Sequence, residues 1–126
     1  MPKISACIVA YCDYEEVCAA VRSILQHTPA PDFVLYVVDN GSPDGCGKRL
    51  VETDFGDARV TVLPLAQNLG FGKGHNAVIP QLDSAVHFIL NPDILLTEDV
   101  LEPMADWLLA RKGAAMATPQ LRYPDG

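Results

Sequence analysis

The fold is decided by the stretch Phe88-Ile89-Leu90-Asn91-Pro92-Asp93, in which a short apolar run stops at Asn-Pro and a carboxylate follows. A run of this length before a turn signal is typical of a buried strand that ends at a loop. A second apolar run, 33–38, ends in the same way at Asp39-Asn40-Gly41-Ser42. Because ligands of open α/β sheets bind outside the carboxyl ends of the strands, the two aspartates predict a nucleotide and metal site at one rim.

Strand-like and helix-like segments alternate along the rest of the chain. The predicted strands are 4–10, 33–38, 60–63, 86–90 and 114–117, and the predicted helices are 14–26, 48–55, 72–82 and 99–111. This alternation predicts an α/β fold in which helices flank a mostly parallel sheet. Right-handed crossovers then bring the carboxyl ends of the strands to one edge. With 126 residues, 1–126 is expected to form one domain.

Composition narrows the class of function. The formal net charge of -7 argues against nucleic-acid binding, which needs a basic face. Four cysteines form no zinc-ligand pattern, and Cys7 and Cys18 fall in apolar positions where buried thiols are expected. No apolar run approaches the roughly 20 residues that span a bilayer, and no signal peptide is evident. We therefore expect a cytoplasmic protein, or one peripheral to the inner face of the membrane.

Two interpretations remain open for Asp39. Its carboxylate could accept a hydrogen bond from the N3–H of uracil or thymine, which would favour a UDP or dTDP donor. Alternatively, it caps the turn formed by Asn40 and Gly41, as Asx residues often do.

Asp93 also has two interpretations. As a metal ligand it would hold Mg²⁺ or Mn²⁺ against a diphosphate leaving group. In the alternative, Asn91-Pro92-Asp93 is an ordinary turn ahead of a helix that Thr97 caps.

A glycine-rich stretch, Gly70-Phe71-Gly72-Lys73-Gly74-His75-Asn76, follows the third predicted strand. It matches neither a P-loop nor GxGxxG, so it is a weak nucleotide signal. Its glycines would let a helix start approach a phosphate or sugar closely, with Lys73 adding charge and His75 close to the ligand. The alternative is a tightly packed helix start with Lys73 in solvent.

Taken in order, these segments resemble one family. The motifs are Ile8-Val9-Ala10-Tyr11, Val38-Asp39-Asn40-Gly41-Ser42, Asn68-Leu69-Gly70-Phe71-Gly72 with Asn76, and Leu90-Asn91-Pro92-Asp93. Their order and spacing resemble the family 2 glycosyltransferases with the GT-A (Rossmann-like) fold, especially the rhamnosyltransferase-like branch. The likeness covers nearly the whole chain.

The resemblance implies a role for eight residues. It places Tyr11 at the base pocket, Asp39 on the base, and Asp93 as the metal-coordinating carboxylate for Mg²⁺ or Mn²⁺. Asn91 would lie near the ribose or diphosphate. The residues implied beside the donor are Asn68, Gly70, Phe71 and Asn76. The implied reaction is inverting transfer of a sugar from a UDP- or dTDP-sugar to an acceptor hydroxyl on a glycan or lipid-linked acceptor, in bacterial polysaccharide or cell-surface glycan synthesis.

The chain departs from the family in two places. Ala10-Tyr11-Cys12 stands where the family usually has Thr-Tyr-Asn, which removes polar contacts. Family members also carry an acceptor-binding half that supplies the general base, and no residue here matches that base. We therefore expect a fold truncated before that half, which binds donor alone and self-associates as a homo-oligomer through uncovered apolar surface.

Two other functions remain as alternatives. A sugar-phosphate nucleotidyltransferase shares a similar sheet but needs a basic glycine-rich loop after the first strand, where Cys12-Asp13-Tyr14-Glu15-Glu16 is acidic. A non-catalytic α/β interaction or regulatory domain would use its aspartates only to cap turns. Fold alone does not decide between these functions.

Overall fold

The computed structural model describes residues 3–111 and Gly113. Strands and helices alternate as the sequence predicts. In chain order they are β1 (Ile4–Ala10), α1 (Tyr14–Gln26), β2 (Val34–Asp39), α2 (Cys46–Glu52), β3 (Val60–Pro64), α3 (Phe71–Asn76), a 3₁₀ turn (Ile79–Gln81), β4 (Val86–Leu90) and α4 (Leu101–Leu109). The α/β class is thereby confirmed, and the predicted strand at 114–117 lies outside the described residues.

The four described strands form one parallel sheet in the order β3-β2-β1-β4. In the register, Val9 lies beside Val38 and Ile8 beside Leu90, so the carboxyl ends of β1, β2 and β4 lie at the same edge of the sheet. The chain builds outward from β1 to β3 and then returns to the other side of β1. The switch point of the sheet is therefore between β1 and β4, where open α/β sheets bind ligands.

The two faces of the sheet are covered unequally. Alternate residues of the strands face the main core, which includes α1, part of α2 and the α4 residues Leu101 and Ala105. The opposite face carries a smaller core in which Cys7, Tyr36 and Val38 surround Val78. Cys7 and Cys18 are buried as predicted, and burial raises the pKa of the Cys7 thiol to about 12.

Two helices in the middle of the chain have bounds that differ from the predicted ones. The predicted helix 48–55 is α2 at Cys46–Glu52, because Asp44 accepts a hydrogen bond from the Cys46 N–H and Thr53 is already extended. The predicted helix 72–82 is split into α3 and the 3₁₀ turn. Pro80 lies in this turn and has no N–H to continue an α-helix.

The last helix is shorter than the predicted 99–111. A helix that began at Asp99 would need the N–H of Pro103 to bond back to Asp99, and proline has none. Its first bond instead runs from the Met104 N–H to the Val100 carbonyl, 3.1 Å away. Trp107, which the helical spacing predicts to face inward, is 47% exposed. The Arg111 guanidinium lies over its ring, 3.9 Å from the centroid.

None of the helices described is both long and apolar enough to cross a membrane.

Candidate functional site

A cleft of about 400 Å³ opens at the switch point of the sheet, between the loops that follow β1 and β4. It is lined by Val9, Tyr11, Cys12, Asp13, Glu16, Val17, Phe71, Asn91, Pro92 and Asp93. Four of the eight predicted site residues, Tyr11, Phe71, Asn91 and Asp93, therefore meet in one place. Tyr11 and Phe71 bring exposed aromatic rings to this cleft.

The loop after β1 is held in an unusual conformation. Cys12 and Asp13 have φ of 62° and 55°, in the left-handed region that residues with a side chain rarely adopt. The Cys12 N–H donates to Ser42 Oγ at 2.7 Å, and the Cys46 thiol lies 3.5 Å from the Cys12 carbonyl oxygen. The loop after β2 and the start of α2 therefore fix this wall of the cleft.

Asp39 is buried at the start of the loop after β2 and does not line the cleft. Its side chain accepts hydrogen bonds from the Ser42 N–H at 3.1 Å and from the Ser42 hydroxyl, and the residue is only 3% exposed. These contacts are those of the turn-capping interpretation. Each carboxylate oxygen has a second lone pair, so base recognition by Asp39 stays a prediction.

The loop before α3 is tied to the loop after β2 by Asn40. The Asn40 amide oxygen accepts from the Leu69 N–H at 2.9 Å, and its amide nitrogen donates to the Gly70 carbonyl at 3.2 Å. Asn68 accepts from the Gly70 N–H at 2.8 Å in a local turn. Asn68 and Gly70 therefore shape the backbone that leads into Phe71, and neither lines the cleft.

The glycine-rich helix α3 lies close against β1. A Cβ atom on Gly74 would come within 2.8 Å of Val9, so glycine is needed for this approach. His75 is buried, whereas Lys73 and Asn76 are exposed and do not line the cleft. Asn76, at the end of the helix, is a predicted site residue that the structure does not bring to the cleft.

The cleft is strongly acidic. Asp13, Glu16 and Asp93 contribute carboxylates, and none of its lining residues within the described chain is a lysine or arginine. Asp93 is exposed, and it accepts no hydrogen bond from the described residues. Its carboxylate is thus available to a ligand.

The donor set suits a metal that is bound together with a diphosphate. No group of three or more metal-ligating side chains exists in the described part of the chain. Mg²⁺ is commonly held by one or two carboxylates, with substrate phosphates and water completing its octahedron. Asp93 as a single exposed carboxylate fits that arrangement, and it does not fit a cage built by protein alone.

Several residues of this region were missed as site residues by the sequence reasoning. Asp13 and Glu16 line the cleft, although Glu16 reads in sequence only as a first-turn residue of α1. Asn40 and Ser42 position the loops around it, and their place in the motif after β2 was the available signal.

The fold and the cleft define an α/β domain with a candidate ligand site at the switch point of its sheet. Residues 5–126 match the family model described as Glycosyl transferase family 2. The chain belongs to this family, as its motifs suggested.

Comparisons with individual proteins give one relative in sequence and one in fold. The chain is 33% identical over 110 residues to an uncharacterized protein y4gI of Sinorhizobium fredii (strain NBRC 101917 / NGR234), which covers 86% of this chain and 12% of that protein. The structure of the present chain is similar to that of S. aureus TarS, residues 1–349, with a TM-score of 0.72 and 20% identity. That match covers 94% of this chain and 38% of the solved TarS chain, and confirms the GT-A, Rossmann-like fold. The chain therefore spans about an eighth of the length of y4gI and less than half of the solved TarS chain.

Proposed function

We propose that this chain binds the donor in an inverting, metal-dependent glycosyltransferase that moves a sugar from a UDP- or dTDP-sugar to an acceptor hydroxyl. The observation that carries the proposal is the cleft between β1 and β4, which is lined by two exposed aromatic rings and by Asp93, a carboxylate with no hydrogen-bond partner among the described residues. Aromatic rings offer a flat surface to a nucleobase, and the carboxylate offers a ligand to a cation.

The proposed metal, Mg²⁺ or Mn²⁺, would be held by Asp93 with Asn91 beside it. A cation bound there would neutralise the negative charge that collects on the diphosphate as its bond to the sugar breaks. The acidic lining supports a metal requirement, because Asp13, Glu16 and Asp93 would otherwise repel a diphosphate. Base selection would fall to Tyr11 and, if its buried carboxylate is reached, to Asp39.

The remaining parts of the proposal concern the larger protein. The acceptor would be a glycan or lipid-linked hydroxyl in bacterial polysaccharide or cell-surface glycan synthesis, and the rhamnosyltransferase-like branch gives the proposed donor type. We assign the general base to no residue of this chain. We propose a cytoplasmic location or one at the inner face of the membrane, and a homo-oligomer.

The test is calorimetric titration of the chain with UDP and with dTDP, each with and without Mn²⁺. We expect binding that requires Mn²⁺ and is lost in Asp93→Ala. The matched control is Glu52→Ala, which removes one exposed carboxylate of α2 outside the cleft and should bind like the wild type. Whichever of the two nucleotides binds more tightly indicates the base of the donor.

Two results would contradict the proposal. Binding that survives in Asp93→Ala would remove the metal role of that residue. Absence of binding by both nucleotides in Mn²⁺ would favour the second candidate, a non-catalytic α/β regulatory domain, which the turn-capping contacts of Asp39 support.

A further inference from the structure

His75 is a buried side chain whose polar atoms have no partner. It is 6% exposed, and neither ring nitrogen has a hydrogen-bond partner in the described part of the chain. Buried polar groups are nearly always hydrogen-bonded, and an exception in a native fold calls for a reason. The reason lies in what the ring touches.

The imidazole of His75 packs against Phe71 one helical turn earlier. The two ring centroids are 4.5 Å apart with an interplanar angle of 68°, an edge-to-face arrangement. Phe71 is 55% exposed, and its outer side forms part of the donor cleft. The histidine therefore supports the cleft wall from the protein side.

No residue of the described strands on this face of the sheet would balance a positive charge on His75. By alternation, the strand residues on the face are Ser5, Cys7, Val9, Val34, Tyr36, Val38, Thr61, Leu63, His87 and Ile89, with no carboxylate among them. The titratable groups that face α3 are thus Cys7 of β1, Tyr36 of β2 and His87 of β4. Lys73 of α3 itself points into solvent.

Both histidines are disposed to stay neutral. Burial lowers the pKa of His75, and the neighbouring His87 lowers it further. Burial also lowers the pKa of His87, whose Nδ1 lies 2.8 Å from Ser5 Oγ. A proton on His75 would therefore be an unpaired buried charge beside a second histidine, which is costly.

We infer that His75 is a positioning residue for Phe71, and that the neutral imidazole alone holds Phe71 in the wall of the donor cleft. Protonation would turn the ring toward water and release Phe71, which makes donor binding sensitive to acid. The inference deepens the proposed function and rests on it for its effect on the donor. Its structural half, the contact between the two rings, stands without a donor.

The expected loss of donor affinity follows from the fraction of chains in which His75 is neutral. If only the neutral form binds, the apparent affinity is halved at the pH equal to the pKa of His75. It falls to about a tenth one pH unit lower.

The first experiment needs no donor. An NMR titration of the labelled wild-type chain would follow the His75 Cε1–H shift and the nuclear Overhauser contacts between the His75 and Phe71 rings. We expect these contacts to disappear as His75 takes up its proton, while the chain stays folded. Contacts that persist after His75 is protonated would overturn the inference, whatever the chain binds.

The second experiment measures UDP and dTDP binding in Mn²⁺ in wild type and His75→Phe, from pH 7.5 down to one pH unit below the pKa of His75 found in the NMR titration. The free nucleotide itself titrates in this window, with a phosphate pKa of about 6, so the comparison between variants is decisive. His75→Phe keeps an aromatic ring against Phe71 and cannot be protonated, so it should keep only the dependence that comes from the nucleotide. His27→Gln, at the end of α1, is the matched control and should follow the wild type.

The outcomes separate the two proposals. Identical pH curves for wild type and His75→Phe would overturn the role of His75 and leave the donor site intact. If neither nucleotide binds at pH 7.5, the proposed function fails, and the ring contacts in the NMR titration then decide the positioning role alone.

Discussion

The loops after β2 and β4 carry the same residue types, an aspartate and an asparagine at the end of a parallel strand, but use them differently. After β2, Asp39 and Asn40 are buried, Asp39 accepting hydrogen bonds from Ser42 of the same loop and Asn40 bonding to Leu69 and Gly70 of the loop before α3. After β4, Asn91 and Asp93 are exposed and accept no hydrogen bond from the described chain. Both loops lie at the carboxyl edge of the sheet, so position along the strand does not separate the two uses.

The difference shows how the site is divided between support and chemistry. The loop after β2 holds both of its neighbours, through Ser42 to Cys12 on one side and through Asn40 to Leu69 and Gly70 on the other. In the loop after β4, Asn91 and Asp93 line the cleft and make no side-chain hydrogen bond with the described residues. Substitutions in the first loop should therefore cost stability, and substitutions in the second should cost binding.

The largest expected effect separates Asp39 from Asp93. Asp39→Ala leaves the Ser42 N–H and hydroxyl without their acceptor at a buried site. Hydrogen bonds to a charged group are worth roughly 1.5–3 kcal/mol, so we expect a loss of about 3 kcal/mol in the free energy of unfolding. Asp93→Ala should change stability by less than about 0.5 kcal/mol, as exposed substitutions usually do. Urea denaturation followed by circular dichroism measures both.

Equal stability of Asp39→Ala and Asp93→Ala would break the comparison, since it would mean that the buried carboxylate is dispensable. Should Asp39→Ala not fold, Asp39→Asn keeps one acceptor oxygen and should give an intermediate loss.

A second prediction repeats the comparison with amides. Asn40→Ala removes the acceptor of the Leu69 N–H and the donor to the Gly70 carbonyl, and we expect a loss of about 2 kcal/mol. Asn91→Ala, on the cleft surface, should stay within about 0.5 kcal/mol. The midpoints of urea unfolding of the two variants measure both losses. A larger loss for Asn91→Ala would reverse the division between support and chemistry.

The sequence predicted the strands well because each is a short apolar run closed by a turn signal. It missed the ends of the helices where backbone chemistry overrides periodicity, as at Pro80 and Pro103. Trp107 was placed inward by spacing, but α4 buries Ala105 and leaves the indole beneath Arg111. The spacing of apolar residues along a helix does not show how much of its surface the neighbouring elements cover.

The site was predictable only in part, for a similar reason. The resemblance selected residues at strand ends, and four of these meet in the cleft. Whether an Asp at such an end is free or capped depends on neighbours distant in sequence. The burial of Asp39 under Ser42 and the exposure of Asp93 therefore could not be read from their local sequences. Asp13 and Glu16 were missed because they reach the cleft only through the left-handed turn after β1.

A third prediction tests how tightly Asp39 is held. A Cβ atom on Gly47 would lie 2.5 Å from Asp39 Oδ2, and the bonds to Ser42 leave the carboxylate little room to move. Gly47→Ala should therefore cost about 1–2 kcal/mol, in the range of overpacked sites. Gly72→Ala in α3 meets nothing within 4 Å and should stabilise by about 0.5–1 kcal/mol, because alanine favours helix. Thermal unfolding of the two variants should shift in opposite directions, and a stabilised Gly47→Ala would show that Asp39 is free to move.

The smallest expected effect is the pH dependence of stability, and it concerns the α3 face that supports the cleft. The pKa values of His75 and His87 are lowered by burial, so between pH 6.5 and their folded values the unfolded chain binds more protons than the folded one. Stability contributed by the neutral histidines is thus complete above about pH 6.5 and falls as the pH drops below it. Glu102 acts in the opposite direction, because hydrogen bonding to Asp99 raises its pKa to about 6 and stabilises the fold as it becomes protonated.

The informative quantity is therefore the difference between wild type and His75→Phe in the shift of the urea midpoint from pH 7.5 to 5.5. We expect the variant to lose less stability than the wild type, and His27→Gln to match the wild type. An equal loss in His75→Phe would mean that the buried imidazole takes up its proton as easily in the folded chain as in the unfolded one.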